Sequence, residues 1–272
     1  MKIFDTHAHY SDAQYDTDRE QIFEKMFSFG VDRVTLIGAS FTESLNEKNI
    51  ALKYADHKNM PEFYYTVGDH PDEIPKFDPE SVDGVKYLDT IEKIANDSLK
   101  KAIGIGEIGL DYHGDFKNGS DYDNQKKWFI AEMELARKLK LPIVIHSRDA
   151  CKDTLDMVKQ YANGLKGIVH CFSYEKEIAF EYVKQGFYIG IGGTVTFKNA
   201  RKTKEVVESI PIDSIVTETD APYLAPTPHR GERNDSTYID LVIDEICRLK
   251  SLKKESASEI LYKNALDVYN LN

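Results

Sequence analysis

Cysteine, long apolar runs and positive charge are all scarce in this chain, and each shortage removes a class of answers. Its 272 residues hold three cysteines, Cys151, Cys171 and Cys247, far apart and without a C-x-x-C spacing. That argues against a disulfide framework and a thiolate-clamped zinc or redox motif, and reads as the reduced thiols of a cytoplasmic protein. No apolar run approaches the ~18–20 residues that a membrane span needs, so no membrane association is expected. The opening residues, Met1 to His7, turn polar too quickly for a signal peptide. Lysine and arginine number 35 against 46 aspartates and glutamates, a formal net charge of −11. Broad, charge-driven binding to nucleic acid needs Lys and Arg near the phosphates and is disfavoured. Local capture of one or two phosphates through metal ions is not excluded, because a bound cation can be the largest charge in its site.

What the chain does have is a repeated alternation of short apolar, β-branched runs with amphipathic stretches. Strands are predicted at Lys2–His7, Val34–Gly38, Phe63–Gly68, Ala102–Gly106, Ile143–His146, Gly167–His170, Tyr188–Ile191 and Ile215–Glu218. Helices are predicted at Thr17–Ser28 (closed by Gly30), Ser44–Ala55, Lys86–Asn96, Gln125–Leu139, Ala150–Tyr161, Glu177–Lys184, Lys202–Glu208, Thr237–Leu249 and Lys254–Tyr269, the last with Ser256 as N-cap and Glu259 three residues on. Eight strands alternating with helices point to a parallel sheet, and eight is the number that closes a (β/α)8 TIM barrel. One domain over residues 1–272 is the simplest organisation, since no linker, low-complexity segment or internal repeat interrupts it.

The ends of these strands carry the chemistry. Strand 1 runs into Asp5-Thr6-His7-Ala8-His9, and in an extended strand His7 and His9 would share a face. Strand 4 is followed by Glu107, strand 5 ends in His146 before Ser147-Arg148, strand 6 in His170, and strand 8 is followed by Asp220. Any one of these alone is ordinary for a hydrogen-bonded loop residue. In a parallel barrel, however, all carboxyl ends lie on the face where active sites sit. Four imidazoles and two carboxylates exceed what one tetrahedral ion uses, so two divalent ions bridged by a carboxylate are expected. The mixed nitrogen and oxygen donors suit zinc, manganese or iron(II) better than calcium.

Taken in order, Asp5-Thr6-His7-Ala8-His9, the 68–71 segment, Gly106-Glu107-Ile108-Gly109-Leu110-Asp111, His146-Ser147-Arg148-Asp149-Ala150, His170-Cys171-Phe172-Ser173, Thr219-Asp220-Ala221-Pro222-Tyr223-Leu224, Arg230-Gly231 with Arg233-Asn234, and Asn264-Ala265 resemble the TatD family of metal-dependent hydrolases. The resemblance runs end to end. It implies that His7, His9, Glu107 and Asp220 hold one ion, and that Glu107, His146 and His170 hold a second. The ions would be Mg, Mn or Zn. It implies a deoxyribonuclease that takes nucleotides from a 3′ end, with single-stranded DNA as the partner. His70 matches the family's His-Pro histidine near the substrate phosphate. Arg148 and Arg230 are candidates for anion contact or structural ion pairs, and Asp111 for orienting a ligand histidine or a turn.

Glu107, Asp220 and His70 are thus the expected catalytic residues, with Asp220 receiving a proton from the attacking water. His70, Arg148 and Arg230 are the expected substrate contacts. Tyr10, Tyr112, Phe172 and Tyr223 flank the motifs and could stack on bases or pack the rim. Cys171 is expected to pack rather than attack, since no general base is left to activate it. The same ion pair could instead hydrolyse another ester, an amide or a small phosphoester, such as an aminoacyl-tRNA. A non-catalytic metal-binding scaffold is disfavoured because no ligand is missing. The chain departs from the family pattern at Asp69 (usually small or apolar), at Asp72 (usually a second histidine) and after Arg233-Asn234, where Asp235-Ser236-Thr237 replaces a proline-bearing stretch. Two extra acids near the mouth would weaken polynucleotide binding. The sequence does not fix the oligomeric state, and a monomer is plausible.

Overall fold

A computed structural model describes residues 1–96, 99–113 and 122–271. Eight parallel strands pair in sequence order: β1 (Ile3–Ala8), β2 (Val31–Leu36), β3 (Glu62–Val67), β4 (Ala102–Asp111), β5 (Ile143–Arg148), β6 (Gly167–Val169), β7 (Phe187–Ile191) and β8 (Ile215–Thr217). The helices α1 (Arg19–Ser28), α2 (Phe41–Lys53), α3 (Val82–Ala95), α4 (Tyr122–Leu139), α5 (Cys151–Tyr161), α6 (Lys176–Lys184), α7 (Arg201–Ser209), α8 (Ile239–Lys250) and α9 (Lys254–Val268) alternate with them. A bridge between Ala8 and Ala221, with Asp220 N–H donating to the His7 carbonyl at 2.9 Å, brings β1 against the end of β8. The result is a nearly closed TIM barrel. No helix among the described residues is long and apolar enough to cross a membrane.

Two apolar layers build it. Phe4, Tyr64, Ile103, Val144, Ile168 and Val216 pack together inside the barrel, one from each of six strands, and Ala265, Val268 and Tyr269 at the end of α9 plug its floor. The remaining core lies between strands and helices, as a parallel sheet covered on its outer face requires. Local chemistry sets the boundaries. Ser40 caps α2 by accepting from the Glu43 N–H at 3.2 Å, so that helix begins earlier than its apolar periodicity predicts. Gly30 closes α1 with φ +87°, where a Cβ would stand 2.7 Å from the Met1 carbonyl oxygen. Ser256 is not an N-cap: α9 begins at Lys254, placing Ser256 inside its first turn.

The strands that carry metal-binding candidates are irregular where it matters. Pairing of β1 with β2 shifts register between Asp5 and Ala8, around His7. Pairing of β4 with β5 shifts between Ile105 and Ile108, around Glu107. Such bulges re-aim a side chain next to an active site. Glu107 therefore lies inside a long β4 rather than just past a short one, and His9 lies beyond the end of β1 rather than in strict alternation with His7.

Asp69 corrects another expectation. It turns away from the mouth and is 1 % exposed. Its N–H donates to Glu132 Oε1 of α4 at 2.9 Å, and its Oδ1 accepts from the Tyr87 hydroxyl of α3 at 2.8 Å. Burial raises both carboxyls above the ordinary carboxylate range, and the charge of Asp69 adds to the rise at Glu132. The native pair keeps protons that the unfolded chain has already released in that range, so this contribution to stability falls as pH rises. Urea midpoints are expected to drop between about pH 5 and about pH 8, and to drop less in Asp69→Asn; parallel pH profiles would refute this. At the barrel floor, buried Asn264 donates to the Ile212 and Ile215 carbonyls at 2.8 and 2.7 Å. Asn264→Ala removes both bonds, although the Ile212 carbonyl keeps the Ile215 N–H, and is expected to cost about 1–2 kcal/mol in equilibrium unfolding.

Candidate metal centre

All six sequence-predicted ligands meet at the carboxyl ends of the strands. His7 comes from β1, His9 from just beyond it, Glu107 from β4, His146 from β5, His170 from after β6 and Asp220 from after β8. Glu107 stands between them, 4 % exposed. Its Oε2 faces His7 Nε2 at 3.3 Å and His9 Nε2 at 3.8 Å. Its Oε1 faces His146 Nδ1 at 2.7 Å and His170 Nε2 at 2.9 Å. Asp220 Oδ1 completes the first group, 3.6 Å from His7 Nε2 and 3.5 Å from His9 Nε2, which are themselves 3.2 Å apart.

These separations suit a cation. Four donors each about 2.1 Å from one tetrahedral ion stand about 3.4 Å apart. Among His7, His9, Glu107 and Asp220, the five separations that involve a histidine run from 3.2 to 3.8 Å. Glu107, His146 and His170 form a second convergent group around the other oxygen of the same carboxylate. The donor set is all imidazole and carboxylate, chemistry fitted to a transition metal or magnesium.

The electrostatics agree. Burial alone would raise Glu107, yet the imidazoles of His170 and His7 hold it well below the usual carboxylate range. Burial alone would lower His170, yet Glu107 raises it well above the usual histidine value. His9 is likewise pushed down by burial but lifted to about 9 overall, chiefly by Asp220. The buried carboxylates thus create a strong local demand for positive charge.

Other buried groups hold these ligands in place. Asp111 Oδ2 faces His146 Nε2 at 3.0 Å, while its Oδ1 accepts from the His113 N–H at 2.7 Å, so it orients both the histidine and the turn. Asp5 has no solvent access; its Oδ1 accepts from the N–H groups of His7 and Thr219 at 3.2 and 3.1 Å. Its Oδ2 accepts from the hydroxyls of Thr219 and Ser236, both at 2.6 Å. Asn234 donates to the Thr219 and Tyr223 carbonyls at 2.9 and 2.7 Å, fastening the loop after β8. Sequence reasoning passed over Glu218, whose Oε1 accepts from the Cys171 N–H at 2.6 Å, and over Glu47, a fully buried carboxylate accepting from the Ser11 N–H at 2.9 Å. The one available signal was the position of Glu218 two residues before Asp220; nothing local marks Glu47, because burial is not visible in sequence.

A cleft of ≈ 320 Å³ opens above the centre, lined among others by Asp12, Glu43, His70, Arg148 and Tyr223. The Asp72 N–H donates to His70 Nδ1 at 3.2 Å, which leaves the His70 proton on Nε2. Burial and the neighbouring His146 lower His70 to about 3, so its ring is neutral. Arg148 reaches the cleft; Arg230 does not line it and lies over the Phe197 ring at 4.5 Å. Arg233 forms a paired contact with Asp18 at 2.9 and 2.6 Å. Of the four flanking aromatics only Tyr223 lines the cleft. Tyr10 and Phe172 are buried, and Tyr112 donates to Asp153 at 2.9 Å. Burial pushes the Cys171 thiol up to about 12, consistent with packing and not attack.

Comparisons with known proteins follow the same lines. The family described as "TatD related DNase" matches residues 4–270. An uncharacterized metal-dependent hydrolase of Bacillus subtilis, YabD, is 38 % identical over 271 residues, covering 99 % of this chain and 100 % of that one. One from Methanocaldococcus jannaschii is 30 % identical, covering 97 % of this chain and 95 % of its own length. Among solved structures, the TatD homologue YjjV of Escherichia coli superposes with a TM-score of 0.87 at 24 % identity, over 99 % of this chain and 98 % of that one. A TatD family hydrolase from Entamoeba histolytica also gives 0.87, at 21 % identity, over 100 % and 99 % of the two chains. The two structural likenesses bear on the barrel; the family match and the sequence relatives, together with the converging histidines and carboxylates, place this chain in the TatD family of metal-dependent hydrolases.

Proposed function

We propose that this hydrolase is a phosphodiesterase that binds two divalent ions, most specifically a deoxyribonuclease releasing nucleotides from the 3′ end of single-stranded DNA. The observation that carries the reading is the division of Glu107, one oxygen toward His7 and His9 and the other toward His146 and His170. His7, His9, Glu107 and Asp220 would hold one ion, and Glu107, His146 and His170 the other. Mg, Mn or Zn would suit them. Bound there, such ions lower the pKa of a water and neutralise charge on the phosphoryl oxygens. Asp220, with Oδ1 turned to His7 and His9, takes up the proton of the attacking water. His70 offers its Nε2–H to a phosphoryl oxygen, a neutral donor whose tautomer is set by the Asp72 backbone. Arg148 supplies the positive charge at the cleft wall.

A second reading has its own observation. Asp12 and Glu43 line the cleft, and among the described residues Arg148 is the only lysine or arginine that does so. That balance suits a small or terminal ester bearing an amine, such as an aminoacyl group, better than a long polyanion.

Incubating the protein with a 3′-labelled single-stranded oligodeoxynucleotide and Mg²⁺ or Mn²⁺ tests the first reading. The end label is expected to be released, and Glu107→Ala is expected to reduce the rate by more than about 100-fold, since even groups behind metal ligands cost about 10–100-fold when removed. A folded, metal-loaded protein that leaves the label intact would sink the deoxyribonuclease reading and turn attention to aminoacyl esters. His70→Ala is expected to lower kcat by about 100-fold, the scale of one lost oxyanion donor, with metal content unchanged.

A further inference from the structure

Glu218 follows β8, two residues before Asp220, and its side chain has no access to solvent. Its Oε1 accepts from the Cys171 N–H at 2.6 Å, and its Oε2 meets no donor. Nearby, His170 Nδ1 is also buried and unpartnered, 3.7 Å from Glu218 Oε1 and so just outside hydrogen-bond reach. The other nitrogen of that ring, Nε2, is the one turned to Glu107. An imidazole that gives its Nε2 lone pair to a cation carries its proton on Nδ1. His170 then presents a buried donor, and Glu218 is the acceptor it faces.

The surrounding backbone makes room for this carboxylate. Gly190 sits inside β7, where a Cβ would stand 2.4 Å from Glu218 Oε2 and 2.8 Å from its carboxyl carbon. A glycine within a strand marks such a close approach. Asp111 already shows the same arrangement on the neighbouring ligand, at 3.0 Å from His146.

We propose that Glu218 is a positioning residue for metal binding: it accepts the Nδ1 proton of His170, fixes that ring's tautomer and strengthens Nε2 as a ligand. This rests on the two-ion reading above. Glu218 touches no substrate and acts through His170.

The test is metal affinity, read without any substrate. Metal-free wild type, Glu218→Gln and Gly190→Ala are titrated with Mn²⁺ by calorimetry, bound ions are counted by elemental analysis, and thermal unfolding confirms the fold. Wild type is expected to take two ions. Both variants should keep one at wild-type affinity and hold the other about 10–100-fold more weakly. Two ions bound equally tightly in wild type and both variants would overturn the role of Glu218 alone. A single ion in wild type would overturn the two-ion reading and this role with it. Should neither variant fold, nitrogen-15 NMR of the zinc-loaded wild type decides: the His170 proton must sit on Nδ1 and resonate as a hydrogen-bonded one, and a proton on Nε2 or a fast-exchanging Nδ1–H refutes the proposal. Failure to cleave DNA leaves every one of these readouts intact.

Discussion

The seam between the first and last strands is the contact on which the rest depends. Asp5, without solvent access, accepts from the backbone of His7 and of Thr219 and from the hydroxyls of Thr219 and Ser236. Asp220 N–H donates to the His7 carbonyl, and His9 N–H to the Ala221 carbonyl at 2.7 Å. Bringing the barrel round and assembling the His7, His9 and Asp220 group are therefore one event. Burial raises Asp5 to about 7 despite four lowering hydrogen bonds, so the seam is held by a group whose ionisation the interior resists. A barrel closed by apolar pairs alone would avoid that penalty, but would not fix two histidines and an aspartate relative to each other.

The same logic runs through the centre. Glu107, Asp220, Asp111, Glu218 and Glu47 are all carboxyl groups at or behind the candidate ligand histidines. Buried carboxylates are costly unless paired, and cations in the middle would pair them. To bind an ion, each candidate imidazole would also have to present one chosen nitrogen, and that choice is set by what its other nitrogen meets. Asp111 meets His146 Nε2, which leaves Nδ1 for Glu107. The bulges in β1 and β4 aim His7 and Glu107 into this field. Charge demand is thereby concentrated in one place.

How much of this the chain announces depends on the range of the interaction. The strand–helix alternation is legible because each element's periodicity is local, and the convergence of the candidate ligands is legible because parallel strands bring their carboxyl ends to one face. His7, His9, Glu107, His146, His170 and Asp220 could be found without knowing any contact. Helix starts depend on caps as well as apolar spacing: Ser40 caps α2 ahead of its apolar periodicity, while Ser256 lies inside α9 and caps nothing. Asp69 was misplaced because its partners, Tyr87 and Glu132, lie 18 and 63 residues away. Glu218 and Gly190 went unread for the same reason, since a glycine's purpose is invisible until the carboxylate packed on it is known.

The mouth sets the terms on which any anionic substrate is met. With Asp12 and Glu43 in the lining and a net charge of −11, side chains alone repel a polyanion more than they attract it. Arg148 and the neutral His70 can address one phosphate, not a run of them. Attraction must then come from bound cations, and it falls off within about 10 Å at ordinary salt. An enzyme built this way gains little from a long chain beyond the group at the metals. The physical difference between a terminal phosphodiester and a small ester thus narrows to a few contacts at the rim. Tyr223, half-exposed beside His9 with its hydroxyl on Asp12 at 3.2 Å, is where base stacking and amine recognition would part company.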